Sequence, residues 1–224
     1  SAPPPTANPN LKPFAEVSKE FKRSEGLFAV HQKDERTLLE LKEEDFDKPF
    51  FFTLHRTHGI GERGIYAGQM LESGVGLFRK QSDRVLWIEK NTSFVAPGNP
   101  PLARAVAEAY SDSLRASAPI LSQPHPQSRA ILIDASAFVV QDAASTAALL
   151  AAAFRQPYQF DRGNSLITAV RSEPGETRFA VRTHYAAGTL APPQPGQPNP
   201  PSLPRTLPDP RSLFLGFQYN LAKL

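Results

Sequence analysis

Thr177-Arg178-Phe179-Ala180-Val181-Arg182-Thr183-His184-Tyr185-Ala186 is the stretch that decides the fold. In an extended chain Phe179, Val181 and Tyr185 fall on one side, and Arg178, Arg182 and His184 on the other. A period of two with one apolar and one polar side is the pattern of a strand half-buried in a sheet. Upstream, residues 165–171 form a second candidate strand. Ser172-Glu173-Pro174-Gly175-Glu176 lies between them and supplies the proline and glycine that reverse a chain. The spacing predicts a hairpin.

Two more hairpins are expected by the same reasoning. Residues 27–32 and 37–42 flank Lys33-Asp34-Glu35-Arg36, and residues 75–80 and 84–90 flank Gln81-Ser82-Asp83. Residues 49–55 and 130–134 are almost continuously apolar, which predicts central strands buried on both faces. A last strand over 213–221 sets Leu213, Leu215, Phe217, Tyr219 and Leu221 against Gly216, Gln218 and Asn220.

Helices are few. Residues 100–114 have Asn99 as a cap, Pro100 or Pro101 at the first helical position, and Leu102, Val106 and Tyr110 on one stripe. Residues 143–155 are alanine-rich, with Asp142 as the cap and Pro157 as the stop. A short turn over 14–21 opens the folded part. About eight strands with two or three short helices make an α+β fold, mainly antiparallel sheet built from hairpins.

Proline marks the expected boundaries. Of 23 prolines, five lie in residues 1–13 and nine in 190–210. The expected organisation is a proline-rich leader over 1–13 and a single α+β domain over 14–224. Within that domain, 189–210 is a surface loop that cannot form ladder hydrogen bonds, and 211–221 returns to the sheet as the final strand.

Hydrophobic residues make up 40% of the chain and charged residues 21%, ordinary values for a folded soluble protein. No uninterrupted apolar run approaches the roughly 18–20 residues of a membrane-spanning helix. The net charge is +3, yet the basic residues are dispersed and not interleaved with aromatics, so no nucleic-acid partner is expected. The acids from Asp34 to Asp47 are punctuated by Arg36 and Lys42, a solvated face. The absence of cysteine excludes disulfides, thiolate catalysis and thiolate metal ligands. The small, uncharged start Ser1-Ala2-Pro3-Pro4-Pro5-Thr6-Ala7 is what signal-peptide removal leaves, which leans towards export.

Gly59-Ile60-Gly61-Glu62-Arg63-Gly64 fits the dinucleotide fingerprint, with Asp83 downstream. That chemistry needs a helix whose N-terminus holds the pyrophosphate, and Gly68, Gly74 and Gly76 argue against one. A mobile glycine-rich connection over 59–76 is expected instead. His55 and His58 are three apart on a strand end, unlike the i, i+4 pair of a zincin helix, and no Glu stands between them. His31, His125 and His184 are scattered. Gly163-Asn164-Ser165 completes no nucleophile elbow, and Asp134 and Asp161 form no recognisable pair. No catalytic, cofactor-binding or metal-binding residue is therefore expected in this chain.

Several segments, in order, carry a resemblance. They are Gly26-Leu27-Phe28-Ala29-Val30-His31-Gln32-Lys33-Asp34, Leu39-Glu40-Leu41, and Asp45-Phe46-Asp47-Lys48-Pro49-Phe50-Phe51-Phe52. After the glycine loop come Asp83-Arg84-Val85, Pro101-Leu102-Ala103-Arg104-Ala105-Val106, and Ser117-Ala118-Pro119-Ile120. Val181-Arg182-Thr183-His184-Tyr185 and Asp209-Pro210-Arg211-Ser212 complete the set. Over residues 14–221 the chain resembles the N-terminal region, of unknown function, of the large bacterial zinc-dependent metalloproteases. The resemblance implies an exported protein, periplasmic or extracellular, whose zinc sits on a His-Glu-x-x-His helix in a downstream catalytic region.

That motif is missing here, so none of the catalytic residues carries over to this chain. The expectation is a non-catalytic accessory region that packs on, assists the folding of, or restrains the downstream catalytic domain. Restraint by a cysteine switch is excluded. The alternatives are a stand-alone β-rich module binding peptide or cell-envelope polymer, and a hydrolase whose site the motifs do not show. An exposed apolar patch on a sheet face favours the first reading, and an aromatic groove the second.

Overall fold

The computed structural model describes residues 8–98 and 100–224. The expected cap Asn99 and residues 1–7 of the expected leader lie outside the described residues. The strands are β1 (Lys22–Ser24), β2 (Ala29–Lys33), β3 (Arg36–Leu41), β4 (Phe50–His58), β5 (Gln69–Gln81) and β6 (Arg84–Glu89). They continue with β7 (Ser113–Pro119), β8 (Ile131–Asp134), β9 (Gln159–Glu173), β10 (Glu176–Ala186) and β11 (Ser212–Lys223). The α-helices are α1 (Phe14–Val17), α2 (Pro100–Ala109), α3 (Ser136–Val139) and α4 (Thr146–Phe154). Two sheets result, ordered β1-β2-β3-β8 and β7-β6-β5-β4-β11-β10-β9. The fold is mainly antiparallel sheet with a few short helices, as the alternation predicts.

All three expected hairpins form, with tighter turns than the sequence suggests. Lys33 pairs with Arg36, Gln81 with Arg84, and Glu173 with Glu176, leaving two-residue loops. Asp34 (φ 52°), Ser82 (φ 54°) and Gly175 (φ 91°) take the positive φ that such short loops demand. The last strand, β11, lies between β10 and β4 and is paired along both edges.

The strand over 130–134 corrects one expectation. It forms as β8, but at the edge of the small sheet, not its centre. Ile131 and Ile133 nevertheless enter the main core, while Leu132 packs with Phe14 and Leu38 on the opposite face. The outer edge is covered as well: Leu121 N–H donates to the Leu132 carbonyl at 2.8 Å, and Leu132 N–H to Ser122 Oγ at 3.2 Å. Continuous hydrophobicity reports burial of both faces, which an edge strand can also have.

The helix over 100–114 is shorter than expected. It ends at Ala109, and Ser113 and Leu114 pair with Glu89 and Ile88 at the start of β7. No side chain of α2 is fully buried, and sheet pairing takes the residues beyond it. The helix over 143–155 is broken: a 3-10 turn over Ala143–Ser145 precedes α4, with Ala144 and Ser145 left-handed. The N-cap of α4 is Ser145, not the expected Asp142, although Asp142 Oδ1 accepts the Ala147 N–H of its first turn at 2.9 Å. The 19 residues Ser136–Phe154, of mean hydropathy 1.5, are long and apolar enough to cross a membrane. Here they are α3, the 3-10 turn and α4, with Phe138, Leu150 and Phe154 buried in the core.

The small sheet packs on one face of the large one. Phe28 meets Phe50 and Phe78 with ring centroids 5.5 and 5.0 Å apart, and Phe78 stacks on Phe138 at 5.2 Å. Gly74 and Gly76, expected in a mobile loop, instead lie within β5. A Cβ at Gly74 would stand 2.9 Å from the Phe52 ring, and one at Gly76 2.9 Å from the Phe50 ring. Glycine is needed there because aromatic rings cover the backbone. Residues 187–211 run as loop. Buried Gln156 closes the base of its outermost part, donating to the Ala191 and Ser202 carbonyls and accepting the Ala191 N–H at 2.7 Å.

Candidate functional site

The sheet face turned away from the core is where side chains with chemistry to offer are displayed. Register fixes its rows. Leu114 of β7 and Ile88 of β6 lie in one with Leu77 of β5, which is itself buried, and Val75 of β5 neighbours Phe51 of β4 and Ala222 of β11 in the next. The middle is polar: Thr53 faces Asn220, and His55 faces Gln218. In the far corner Phe214 of β11, His184 of β10 and Asp161 of β9 share a row. One corner is thus apolar and the opposite corner is built around a histidine.

The apolar corner continues into the β6–β7 connection. Lys90 Nζ and Asp112 Oδ2, 2.5 Å apart, close its neck, and Asp112 Oδ1 also accepts the Asn91 N–H at 2.8 Å. Inside it the Phe94 and Tyr110 rings stack at 3.8 Å. Phe94, Leu102 and Tyr110 are exposed, and Val95 and Leu114 are 71% and 62% exposed. The stripe Leu102, Val106 and Tyr110 that predicts an amphipathic helix is present but faces outward, not a core.

At the opposite corner His184 Nδ1 lies 2.8 Å from Asp161 Oδ2, and His184 Nε2 lies 2.7 Å from Ser212 Oγ. Asp161 also accepts the Asn164 side-chain amide at 2.6 Å and the Gly163 N–H at 3.1 Å. The Asn164 bond, then that from His184, holds the carboxyl below its ordinary range. Ser165 Oγ accepts the His184 N–H at 2.8 Å and donates to the Asp161 carbonyl at 2.7 Å, fixing the irregularity between β9 and β10. The Phe214 ring packs on the imidazole at 4.8 Å, and Arg182 lies over Phe214 at 5.0 Å. The expectation that nothing gathers His184 is therefore corrected: strand register gathers it with Asp161 and Ser212. The sequence hinted only at a histidine on the polar side of a strand and a serine opening the last one.

The other sequence candidates stay apart. His55 Nδ1 is 3.5 Å from Thr53 Oγ1, and His58 Nδ1 is 3.2 Å from Thr57 Oγ1, each held by its own strand. Asp134 accepts the Ser136 N–H at 2.9 Å, serving α3 and not Asp161. His125 Nδ1 accepts N–H groups of its own turn. His31 Nε2 meets Glu40 Oε2 at 2.7 Å in the small sheet. Among the described residues, no group of three or more His, Asp or Glu side chains is placed to hold a metal ion. The Gly59–Gly64 motif begins no helix: Ile60 and Gly61 N–H groups donate to the Ile65 carbonyl, at 3.0 and 3.3 Å. Its Glu62 accepts Arg205 N–H at 2.7 Å and Thr206 Oγ at 3.0 Å, latching the proline-rich loop.

Residues 68–207 match the family described as Domain of unknown function (DUF5117). The chain belongs to that family. The DUF5117 match runs from the start of β5 through Asp161 and His184 to the loop latched by Glu62, stops short of Ser212, and brings no activity with it. No curated protein and no solved structure matches the chain.

Proposed function

We propose that this chain is the N-terminal accessory region of an exported zinc-dependent metalloprotease, taking no part in the zinc chemistry. Its apolar corner docks the downstream catalytic region and so packs on it, assists its folding or restrains it. One observation carries the reading: Phe94, Val95, Leu102, Tyr110 and Leu114 are exposed on one helix and its flanks, beside a sheet face bearing Ile88, Val75 and Phe51. A contiguous apolar surface of this kind marks an interaction site more often than a free surface. The partner's identity rests on the resemblance of residues 14–221. In register β11 brings Ala222 beside Phe51, so the end of that strand lies next to the docking surface.

The test is association in trans. The separately expressed catalytic region is expected to bind the chain at micromolar concentration, and Leu114→Asp to weaken binding at least tenfold, roughly 1.4 kcal/mol. Binding unchanged by Leu114→Asp removes this surface from the reading. Sequencing the coding region past Leu224 is expected to reveal His-Glu-x-x-His, and a stop codon there would remove the parent. A second reading, a stand-alone module for extended peptides, is favoured by β9, a 15-residue strand at the edge of the large sheet.

A further inference from the structure

We infer that Ser212 is an activated nucleophile and that Asp161, His184 and Ser212 carry out acyl transfer from small carboxylic esters. This goes beyond the accessory reading and does not depend on it. The polarity of the hydrogen bonds is the reason. An ionised carboxylate can only accept, so Asp161 Oδ2 takes the proton carried by His184 Nδ1, 2.8 Å away. In the neutral ring Nε2 then holds the lone pair, and Ser212 O–H, 2.7 Å away, is the donor. A general base already bonded to the hydroxyl it would deprotonate, and oriented by a third group, is the arrangement nucleophilic catalysis requires.

Rigid parts hold it. Asp161, His184 and Ser212 come from three adjacent strands, Ser165 ties two of those strands together, and Phe214 fixes the ring plane. His184 is nearly buried while Ser212 is exposed, so a substrate reaches the hydroxyl without reaching the base. Ser212 Oγ attacks the ester carbonyl and its proton passes to His184 Nε2. The carbon–oxygen bond to the leaving alcohol then breaks, and the alkoxide takes that proton. Water, deprotonated by the same nitrogen, attacks the acyl-serine and releases the carboxylic acid, restoring Ser212. The open face suits an ester with a small acyl group and an uncrowded carbonyl.

A fluorophosphonate probe tests this, with the adduct located by peptide mass spectrometry and p-nitrophenyl acetate as a turnover substrate. The expected result is one phosphonyl adduct on Ser212, formed with loss of fluoride and abolished in Ser212→Ala, whose melting temperature is unchanged. Labelling should slow by about 100-fold in His184→Gln and about tenfold in Asp161→Asn. If His184→Gln does not fold, Asp161→Asn decides. No adduct on Ser212, or a labelling rate on Ser212 that neither variant changes, overturns the proposal. Binding in trans to a catalytic region reads a different surface, so the two proposals fail separately.

Discussion

Two carboxylate–histidine pairs of nearly equal length stand in this protein, and their surroundings set them apart. In the small sheet Glu40 meets His31 at 2.7 Å, with side chains only 5% and 4% exposed, and also receives Arg23 Nε at 2.7 Å and Nη2 at 2.9 Å. In the large sheet Asp161 meets His184 at 2.8 Å, and the Asp161 side chain is 32% exposed. Glu40 spends its acceptor capacity on a buried bolt between β1, β2 and β3. Asp161 orients a ring whose other nitrogen faces an exposed hydroxyl. The same pair of residue types locks a sheet in one place and presents a reactive group in the other.

The largest effect expected comes from the strand that brings Ser212 to the second pair. Deleting residues 211–224 removes β11, paired on both sides in the centre of the large sheet. It also uncovers two strand edges. Loss of cooperative unfolding and aggregation in size-exclusion chromatography are expected. A soluble, cooperatively melting truncation would show that the histidine corner rests on β9 and β10 alone. Next in size is Glu40→Ala, which leaves buried His31 without its carboxylate and the Arg23 guanidinium with exposed Glu25 alone. Chemical denaturation should report a loss of about 3–5 kcal/mol.

A pH titration sharpens the same contrast. Burial alone would push Glu40 up, but the hydrogen bonds from His31 and Arg23 outweigh it and carry its pKa from its ordinary 4.5 down to about 2. A carboxylate depressed in the folded state adds stability that is complete above its unfolded pKa and is lost as pH falls through the folded one. Acid should therefore remove about 3 kcal/mol between about pH 4.5 and 2. Glu40→Gln should flatten that part of the profile. Smallest of all, Asp161→Asn should lower stability far less than Glu40→Ala does, because the pair is partly solvated. A loss as large as that from Glu40→Ala would mean that both pairs are structural bolts.

What could be read from the sequence follows the same divide. The hairpins around Asp34, Ser82 and Gly175 and the strand through Phe217 were legible because alternation and turn chemistry are local. The edge position of β8 was not, because Ile131, Leu132 and Ile133 look the same whether a strand or a covering segment lies alongside. Pro100 to Leu114 keeps a helical period up to Tyr110, yet pairing with Ile88 captures Leu114, an outcome only tertiary contact decides. The histidine corner was least legible. Asp161 stands 23 residues before His184, and Ser212 28 after it, and only the register of β9, β10 and β11 makes them neighbours.

We propose that the apolar corner, and not the histidine corner, is the docking surface. Hydrogen–deuterium exchange, with and without the separately expressed catalytic region, tests it most directly. The expected result is slowed exchange over residues 86–114, with 159–173 and 212–216 unchanged. No protection anywhere, or protection confined to the histidine corner, would contradict it.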